Sequence, residues 1–424
     1  MSAPLLLLVG VAAFLVFLQF LRCTVPLALA AAAVVCAVAG TLEFPFRHLV
    51  EGTFGYLNLI LALFAGAWFG QAASRSGFAD GFARGLLALT RSRPLPSLAA
   101  IALLLFAAGM FTGLAGIAVL TVGAFAAPVL RRIGLAPHDA AAFIALEATC
   151  GMIAPPVNVP AMMIADGVNM PFLNFARTLL VLSVPPALAA IALFARRCGS
   201  MGSDASAVPA GPPGNRRSPL AASVPLALVL GFWLLLRLMP ETIFDPGVPV
   251  VLVAGGLVLL PFLGARSAAA LREACSGVPL YLAAALAAVG MLVQVMTLTG
   301  MRGWLVIQTM ASDSPWLQLL LIALPLLGGV LTSAGTSNVL GVPFAFAFIH
   351  QDMIINVSAL SAIAALSEFM PPTAVGAALA GYVVGEGNLM KIFRAALPAV
   401  ALLFALALAL IVFAKPLAPY LTGT

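Results

Sequence analysis

The sequence has very few charged residues. Only 8% of its 424 residues are Asp, Glu, Lys or Arg, and 63% are hydrophobic. A soluble protein carries about 25% charged residues, so this chain has too few of them to cover a water-facing surface. The composition excludes an ordinary soluble protein and indicates a chain that lies in a lipid bilayer.

The sequence also lacks the alternation of apolar and polar residues that a membrane β-barrel needs. Its apolar stretches run for about 20 residues instead, which is the length of a membrane-spanning helix. Lipid offers no hydrogen bonds to an open backbone, so helices are the remaining solution. We therefore predict an all-α polytopic membrane protein. The predicted plain spans are residues 4–21, 25–42, 53–73, 172–195, 219–238, 247–264, 278–299 and 392–414.

Sequence motifs of several other protein classes are missing. The five cysteines show no metal-binding or redox spacing, and no Gly-x-x-x-x-Gly-Lys-Ser/Thr loop for ATP is present. The net charge of +6 comes from basic residues in short loops between apolar segments, which is typical of membrane topology rather than of nucleic-acid binding. We expect no nucleic-acid partner and no cofactor beyond a transient coupling ion, Na⁺ or H⁺.

The sequence consists of two halves, and each half contains two unusual segments in the same order. The first half is residues 1–195, the second is residues 219–424, and the linker 196–218 between them is rich in Ser, Gly and Pro. Each half has an apolar stretch interrupted by small and polar residues, followed by a segment broken by Pro-Pro. These segments lie at about 98–130 and 138–167 in the first half, and at about 315–349 and 354–385 in the second.

The basic residues predict how the helices cross the membrane. If each interrupted stretch is a re-entrant hairpin and the N-terminus is outside, fifteen Arg and Lys residues lie inside and five outside, the latter being Arg47, Arg177, Arg237, Arg302 and Lys415. This bias agrees with the positive-inside rule, and it weakens if the hairpins span the membrane. The second half is then inverted relative to the first, the C-terminus is outside and the linker is cytoplasmic. The Arg-rich stretch 74–97 is predicted to be an amphipathic helix on the inner surface.

Two proline pairs, Pro155-Pro156 and Pro371-Pro372, predict helices that break within the membrane. Proline removes a helix hydrogen bond and clashes with the preceding turn. The freed backbone groups are tolerated at membrane depth only inside protein or beside a water-filled cavity. Helix N-termini at such a break attract anions, and carbonyl groups attract cations. One broken helix from each half would build a site for an anion and its coupling cation, as in secondary transporters with inverted repeats.

Polar residues at the interruptions and breaks are the candidate substrate ligands. Residues 332–338 are the most polar part of the apolar regions, and their hydroxyl and amide groups suit carboxylate oxygens or Na⁺. The alternatives are close helix packing by small polar residues and, for Asn158 and Thr373, local capping of the freed backbone. We predict substrate contacts at Thr112, Gly113, Asn158, Ser333, Thr336, Ser337, Asn338 and Thr373.

Two carboxylates, Glu147 and Glu368, lie well inside the predicted spans. A buried carboxylate in a membrane is costly and is a functional hypothesis by default. No intramembrane Lys or Arg can pair with either of them, so they could bind a proton or a cation. The alternative is a neutral, hydrogen-bonded packing residue. The residues predicted to couple the ion are Thr112, Glu147, Thr149, Gly335, Glu368 and Gly376.

The order of these motifs resembles the large membrane subunit of tripartite ATP-independent periplasmic (TRAP) transporters, in the ion transporter superfamily. The resemblance covers nearly the whole chain. The shared features are an Arg-rich helix after Ser76-Gly77, the interrupted stretch 109–116, Pro128 followed by Arg131-Arg132-Ile133-Gly134, the segment 149–156, Gly167, and the second Pro-Pro segment 366–376.

The resemblance implies an elevator-type carrier, in which a transport domain moves against a static scaffold, and not an enzyme. It implies Na⁺-driven uptake of organic acids such as C4-dicarboxylates across the bacterial inner membrane, with both chain ends in the periplasm. It also implies two partners, a small four-helix membrane subunit and a periplasmic substrate-binding protein.

The chain departs from the family pattern at several of these positions. Thr112-Gly113-Leu114 stands where the family usually has a Ser-Gly-Ser-type signature, and Val157 stands where Ser usually follows the first Pro-Pro. The family usually has small or hydroxyl residues in place of Glu147 and Glu368, and two added carboxylates could favour proton coupling.

Three alternatives to the TRAP interpretation follow from the same residues. A stand-alone Na⁺- or H⁺-coupled organic anion carrier of the wider superfamily stays open. An intramembrane enzyme using Glu147 and Glu368 as an acid–base pair would need a nucleophile or a metal site that the sequence does not show. A channel is the third alternative, but two matching broken helices fit a transporter with alternating access better than a continuous pore.

Fusions at two positions test the predicted topology. Alkaline phosphatase fused after Thr424 should be active and green fluorescent protein fused there should be dark, because we expect this end in the periplasm. Fusions in the linker, after Ala210, should give the opposite result. A fluorescent C-terminal fusion in intact cells would contradict the predicted topology.

Overall fold

The computed structural model of the chain describes residues 1–198, 218–239, 242, 244–310 and 328–422. Within these ranges the structure is helical and contains no strand. Nine helices of the described residues are long and apolar enough to cross a membrane. The chain is therefore a polytopic helical membrane protein, which confirms the fold class that the composition predicts.

The first half contains ten helices over residues 1–198. They are α1 (Ala3–Phe20), α2 (Val25–Thr41), α3 (Phe46–Gly55), α4 (Leu57–Arg75), α5 (Phe78–Leu89), α6 (Pro94–Thr112), α7 (Ala115–Arg132), α8 (Pro137–Ile153), α9 (Val159–Gly167) and α10 (Ala176–Ala195). The predicted interrupted stretch corresponds to α6 and α7, and the predicted Pro-broken segment corresponds to α8 and α9.

The described residues of the second half also contain ten helices. They are α11 (Pro219–Leu238), α12 (Val248–Phe262), α13 (Ser267–Ala274), α14 (Gly277–Leu298), α15 (Met301–Met310), α16 (Gly328–Ala347), α17 (Met353–Phe369), α18 (Val375–Val384), α19 (Leu389–Val412) and α20 (Ala414–Leu421). The beginning of the predicted stretch 315–349 and nearly all of the linker 196–218 lie outside the described residues.

Two backbone turns mark the interrupted stretches. Gly113 has a φ of +68°, a left-handed conformation that glycine adopts without a side-chain penalty, and it separates α6 from α7. In the second half Thr332, within α16, has a φ of +62°. A positive φ is uncommon for a residue with a β-branched side chain. We call residues 112–117 the first tip and residues 329–335 the second tip.

The two halves exchange packing partners. From the first half, α1 packs on α15, whereas α2 and α3 pack on α14. From the second half, α11 packs on α5, whereas α12 and α13 pack on α4. The first three helices of each half therefore lie against the fourth and fifth helices of the other half.

Short helices are the elements that the sequence patterns missed. Neither α3 nor α13 is predicted as a helix of its own, and α15 and α20 are not predicted at all. Each of the four has only 8 to 10 residues, too short to give a spanning signal. Their positions depend on packing, as where Gly52 of α3 and Gly290 of α14 let the two backbones approach closely.

The Gly52–Gly290 contact predicts a stability effect. A Cβ atom on Gly290 would collide with the carbonyl oxygen of Gly52 and lie 2.9 Å from the Tyr56 ring. We expect Gly290→Ala to destabilise the protein by about 1–3 kcal/mol, the usual range for overpacking. Thermal unfolding of the protein purified in detergent measures this loss.

The matched control is Gly231→Ala on α11, where a Cβ atom meets nothing within 4 Å. Alanine is about 1 kcal/mol more favourable than glycine in a helix interior, so this variant should be as stable as the unaltered protein or more so. Equal unfolding temperatures for the two variants would contradict the close packing of α3 on α14.

Candidate functional site

The two tips and the second Pro-Pro break meet at one cavity. Its volume, measured for the centres of water-sized molecules, is about 60 Å³. This is room for a few waters or an ion, and it is far below the volume of about 300 Å³ at which pockets for organic ligands begin. The lining residues are Leu59, Leu63, Leu114, Ala115, Gly116, Ile117, Met152, Leu286, Thr332, Ser333, Ala334, Glu368, Val375 and Leu379.

The lining of this cavity is apolar apart from three side chains, Thr332, Ser333 and Glu368. No Lys, Arg or His lines it among the described residues, and the sequence of residues 311–327 contains none of these types. A carboxylate with two hydroxyl groups suits a hydrated or partly hydrated cation, or a proton. Alone it is a poor site for an anion, because like charges repel at close range.

Glu368 connects the second tip to the second break. Its Oε1 accepts a hydrogen bond of 2.5 Å from Ser333 Oγ. Its Oε2 faces the backbone N–H of Gly376, in the first turn of α18, without a hydrogen bond of ordinary geometry. Over the described residues no basic group forms an ion pair with this carboxylate.

Three buried oxygen atoms in this region have no hydrogen-bond partner within the described part of the chain. They are Thr332 Oγ1, Ser367 Oγ and Glu368 Oε2. Buried polar atoms are nearly always satisfied in native structures, and hydroxyl and carboxylate oxygens are ligands that hard cations prefer. The arrangement can therefore hold a bound ion or ordered water.

Other candidate residues of the second half form contacts within the protein in this conformation. Thr373 donates to the carbonyl oxygen of Gly329 from both its backbone N–H, at 3.0 Å, and its hydroxyl, at 2.7 Å. The hydroxyl groups of Thr336 and Ser337 donate back to carbonyls one turn earlier in α16. Gly335 lies in α16 with its Cα facing Val289 of α14.

The first break is closed mainly by Asn158. Its Oδ1 accepts from Ala161 N at 2.9 Å and so caps α9. Its Nδ2 donates to the carbonyl oxygen of Ile153 at 3.0 Å and to Ser361 Oγ of α17 at 3.2 Å. Asn158 thus joins the two broken helices, and all of its donors are used within the protein.

The remaining predicted residues of the first half lie near this break without facing the cavity. Thr112 and Thr149 donate to carbonyls one turn earlier in α6 and α8. Gly113 lies against Val157. The helices α8 and α17 end at Ile153 and Phe369, two residues before their Pro-Pro pairs, and each pair contains a cis bond.

Glu147 is fully buried in α8 and does not line the cavity. Neither of its carboxylate oxygens has a hydrogen-bond partner within the described ranges. The structure thus separates the two intramembrane carboxylates: Glu368 belongs to the cavity, and Glu147 lies in the protein interior.

Three residues that the sequence did not single out contact the candidate segments. Arg302 of α15 donates to Asn338 in α16, and Tyr56 lies beside the same asparagine. Arg237 of α11 donates to the carbonyl oxygen of Phe111, next to the first tip, at 3.0 Å. Both arginines are in the set predicted on the outer side, but their contacts depend on packing between elements far apart in sequence.

Asn158 gives a test of how the first break is held together. Replacing it with alanine removes three hydrogen bonds and leaves buried partners unsatisfied, so Asn158→Ala should cost about 1–3 kcal/mol or more. Asn58→Ala, at an exposed position of α4, is the control and should change stability by less than about 0.5 kcal/mol. Thermal unfolding in detergent compares them, and equal melting temperatures would refute the structural role.

Comparison with known proteins does not assign the chain to a family. No family model matches the chain, and no curated protein matches it. The functional conclusions below therefore rest on the residues and on their arrangement in the fold.

Proposed function

We propose that the chain is the membrane subunit of an ion-coupled secondary transporter that takes up small organic anions by an elevator mechanism. The observation that supports this proposal most directly is the cavity at which the two tips and the second Pro-Pro break meet. Interrupted helices of this kind are placed at the substrate and ion sites of secondary transporters.

The packing between the halves supports an inverted repeat. Nine of the ten helices from α1 to α10 have counterparts, in the same order, among α11 to α19, and the counterpart of α6 falls partly outside the described residues. The exchanged packing of α1–α3 and α11–α13 is what a twofold relation between the halves produces. The positive φ angles of Gly113 and Thr332 fall at matching positions.

The distribution of ion pairs supports a moving domain and a scaffold. We assign α1–α4 and α11–α14 to the scaffold, and the tips, the broken helices, α10 and α19 to the transport domain. Arg75 pairs with Glu273 inside the scaffold, and Arg197 pairs with Asp139 inside the transport domain. Arg132 of α7 also lies 3.6 Å from Asp80 of α5, a helix that we assign to neither domain, and the other ion pairs of the described residues are local. Ion pairs within one domain need not break when the two domains move past each other.

The coupling ion belongs at Glu368 in this proposal. Ser333 donates to its carboxylate and Thr332 lines the same cavity, and a bound Na⁺ would satisfy the unpartnered oxygens of Thr332 and Glu368. The resemblance to TRAP subunits favours Na⁺. The residues that would hold the ion move with the transport domain, so ion binding and substrate movement are linked.

Partners and location also form part of the proposal. A small four-helix membrane subunit and a periplasmic binding protein would act with this chain in the bacterial inner membrane. A second candidate is a stand-alone Na⁺- or H⁺-coupled organic anion carrier, which Glu368 favours because a carboxylate can carry either ion.

Uptake of labelled succinate into proteoliposomes tests the proposed function. We expect uptake driven by an inward Na⁺ or proton gradient, and we expect Glu368→Gln to reduce it by about tenfold or more because the cation loses its charged ligand. Glu43→Gln, at an exposed position of the loop after α2, is the matched control and should transport normally.

The partner proteins separate the two candidates. Uptake that requires a co-purified small membrane subunit and a binding protein supports the TRAP interpretation, whereas uptake without them supports a stand-alone carrier. Absence of gradient-driven uptake of any organic acid, with and without partners, would contradict both.

A further inference from the structure

The cavity contains a carboxylate and no basic side chain among the described residues, so it does not explain how an anion is recognised. If the proposed transport of organic anions is correct, a positive charge must lie close to it. The nearby basic side chain is Arg302, at the start of α15, where it is partly buried. None of the described acidic residues forms an ion pair with it.

Arg302 is held against the helix that carries the second tip. Its Nη2 donates to both oxygens of Asn338, to Oδ1 at 2.8 Å and to the backbone carbonyl at 3.0 Å. Its Nη1 donates to Thr297 Oγ1 at 3.2 Å. Nη2 alone holds both Asn338 oxygens, and a carboxylate in their place can use Nη2 together with a second guanidinium nitrogen, as Arg–carboxylate pairs often do.

Tyr56 adds a second group to this cluster. The residue is only 4% exposed, and its hydroxyl group faces the Asn338 side chain without a hydrogen bond of ordinary geometry. A buried phenol normally finds a partner. Its unused donor points to a ligand that supplies an acceptor oxygen.

The cluster adjoins the cavity through two helices. Tyr56 immediately precedes α4 and lies one turn before Leu59. Asn338 lies one turn after Ala334 in α16, and both Leu59 and Ala334 line the cavity. A small organic acid can therefore place a carboxylate at the cluster and direct the rest of its chain toward the apolar lining.

We propose that Arg302 and Tyr56 form the carboxylate-binding subsite of this carrier, and that Asn338 occupies it in the present conformation. Arrival of the substrate replaces the Asn338 oxygens on Arg302 with those of a carboxylate, and Tyr56 donates a further hydrogen bond. The subsite selects small organic acids over their neutral amides. The bound carboxylate then lies about one turn along α16 from Ala334, which lines the cavity together with Glu368.

Transport kinetics of the full chain in proteoliposomes test this subsite, with labelled succinate as the probe and with whatever partners uptake requires. Arg302→Gln should raise the KM for succinate by about tenfold or more, which corresponds to the loss of one charged hydrogen-bonding group. Arg302→Lys keeps the charge but loses the planar fork, so its KM should be intermediate. Tyr56→Phe should raise the KM severalfold, and kcat should change by less than about threefold in each variant.

The control is Arg177→Gln, because Arg177 is an exposed arginine of α10 that is also predicted on the outer side. Its KM should not change. In unaltered protein, unlabelled succinate should compete with uptake and succinamide should not. An unchanged KM in Arg302→Gln, equal effects of Arg302→Gln and Arg177→Gln, or competition by succinamide would overturn the subsite.

Failure of the subsite and failure of the proposed function give different results. If unaltered protein shows no gradient-driven uptake, the transport function is wrong. If it takes up succinate while Arg302→Gln and Tyr56→Phe keep its KM, only the subsite is wrong. Should Arg302→Gln misfold, as a lower thermal unfolding temperature would show, Arg302→Lys and Tyr56→Phe decide the question.

Discussion

Lipid cannot hydrogen-bond to a protein backbone, so the backbone groups freed by each helix interruption in this chain need hydrogen-bond partners inside the protein. The two Pro-Pro breaks are stabilised in different ways. Asn158 caps α9 and spans the first break, while Thr373 ties the second break to the second tip through Gly329. Satisfying the freed backbone groups brings tips and breaks together. The cavity lies where these constraints meet.

In the proposed inverted repeat the two breaks differ in chemistry. At the first break the side chain of Asn158 forms three hydrogen bonds, whereas the second break has beside it a carboxylate and several unpartnered oxygens. We attribute ion binding to this difference, because the polar side chains beside the second break keep oxygens free for a ligand. Glu147 stands outside this scheme, since nothing in the described structure explains its unpaired burial in α8.

The sequence predicts most of the fold, because long apolar helices and Pro-Pro breaks depend on local composition. It places the plain spans, α6 with α7, and both broken helices within a few residues. It misses α3, α13, α15 and α20, whose short lengths give no spanning signal. In the candidate site the sequence singles out Ser333 and Glu368, which line the cavity. It cannot distinguish them from Thr336 and Ser337, whose hydroxyl groups donate to carbonyls of their own helix, because this distinction depends on the direction of each side chain. The roles of Arg302 and Tyr56 depend on contacts between distant elements, which no local pattern contains.

The central claim is that the cavity between the tips opens alternately to the two sides of the membrane. A single cysteine at Ala334, which lines the cavity, tests it in protein whose five native cysteines are replaced. A membrane-impermeant thiol reagent should label Ala334→Cys in right-side-out and in inside-out vesicles, and an inward gradient of the coupling ion should change the ratio of the two rates. Labelling from neither side, or from one side alone under every gradient, would show a static cavity and contradict the elevator mechanism.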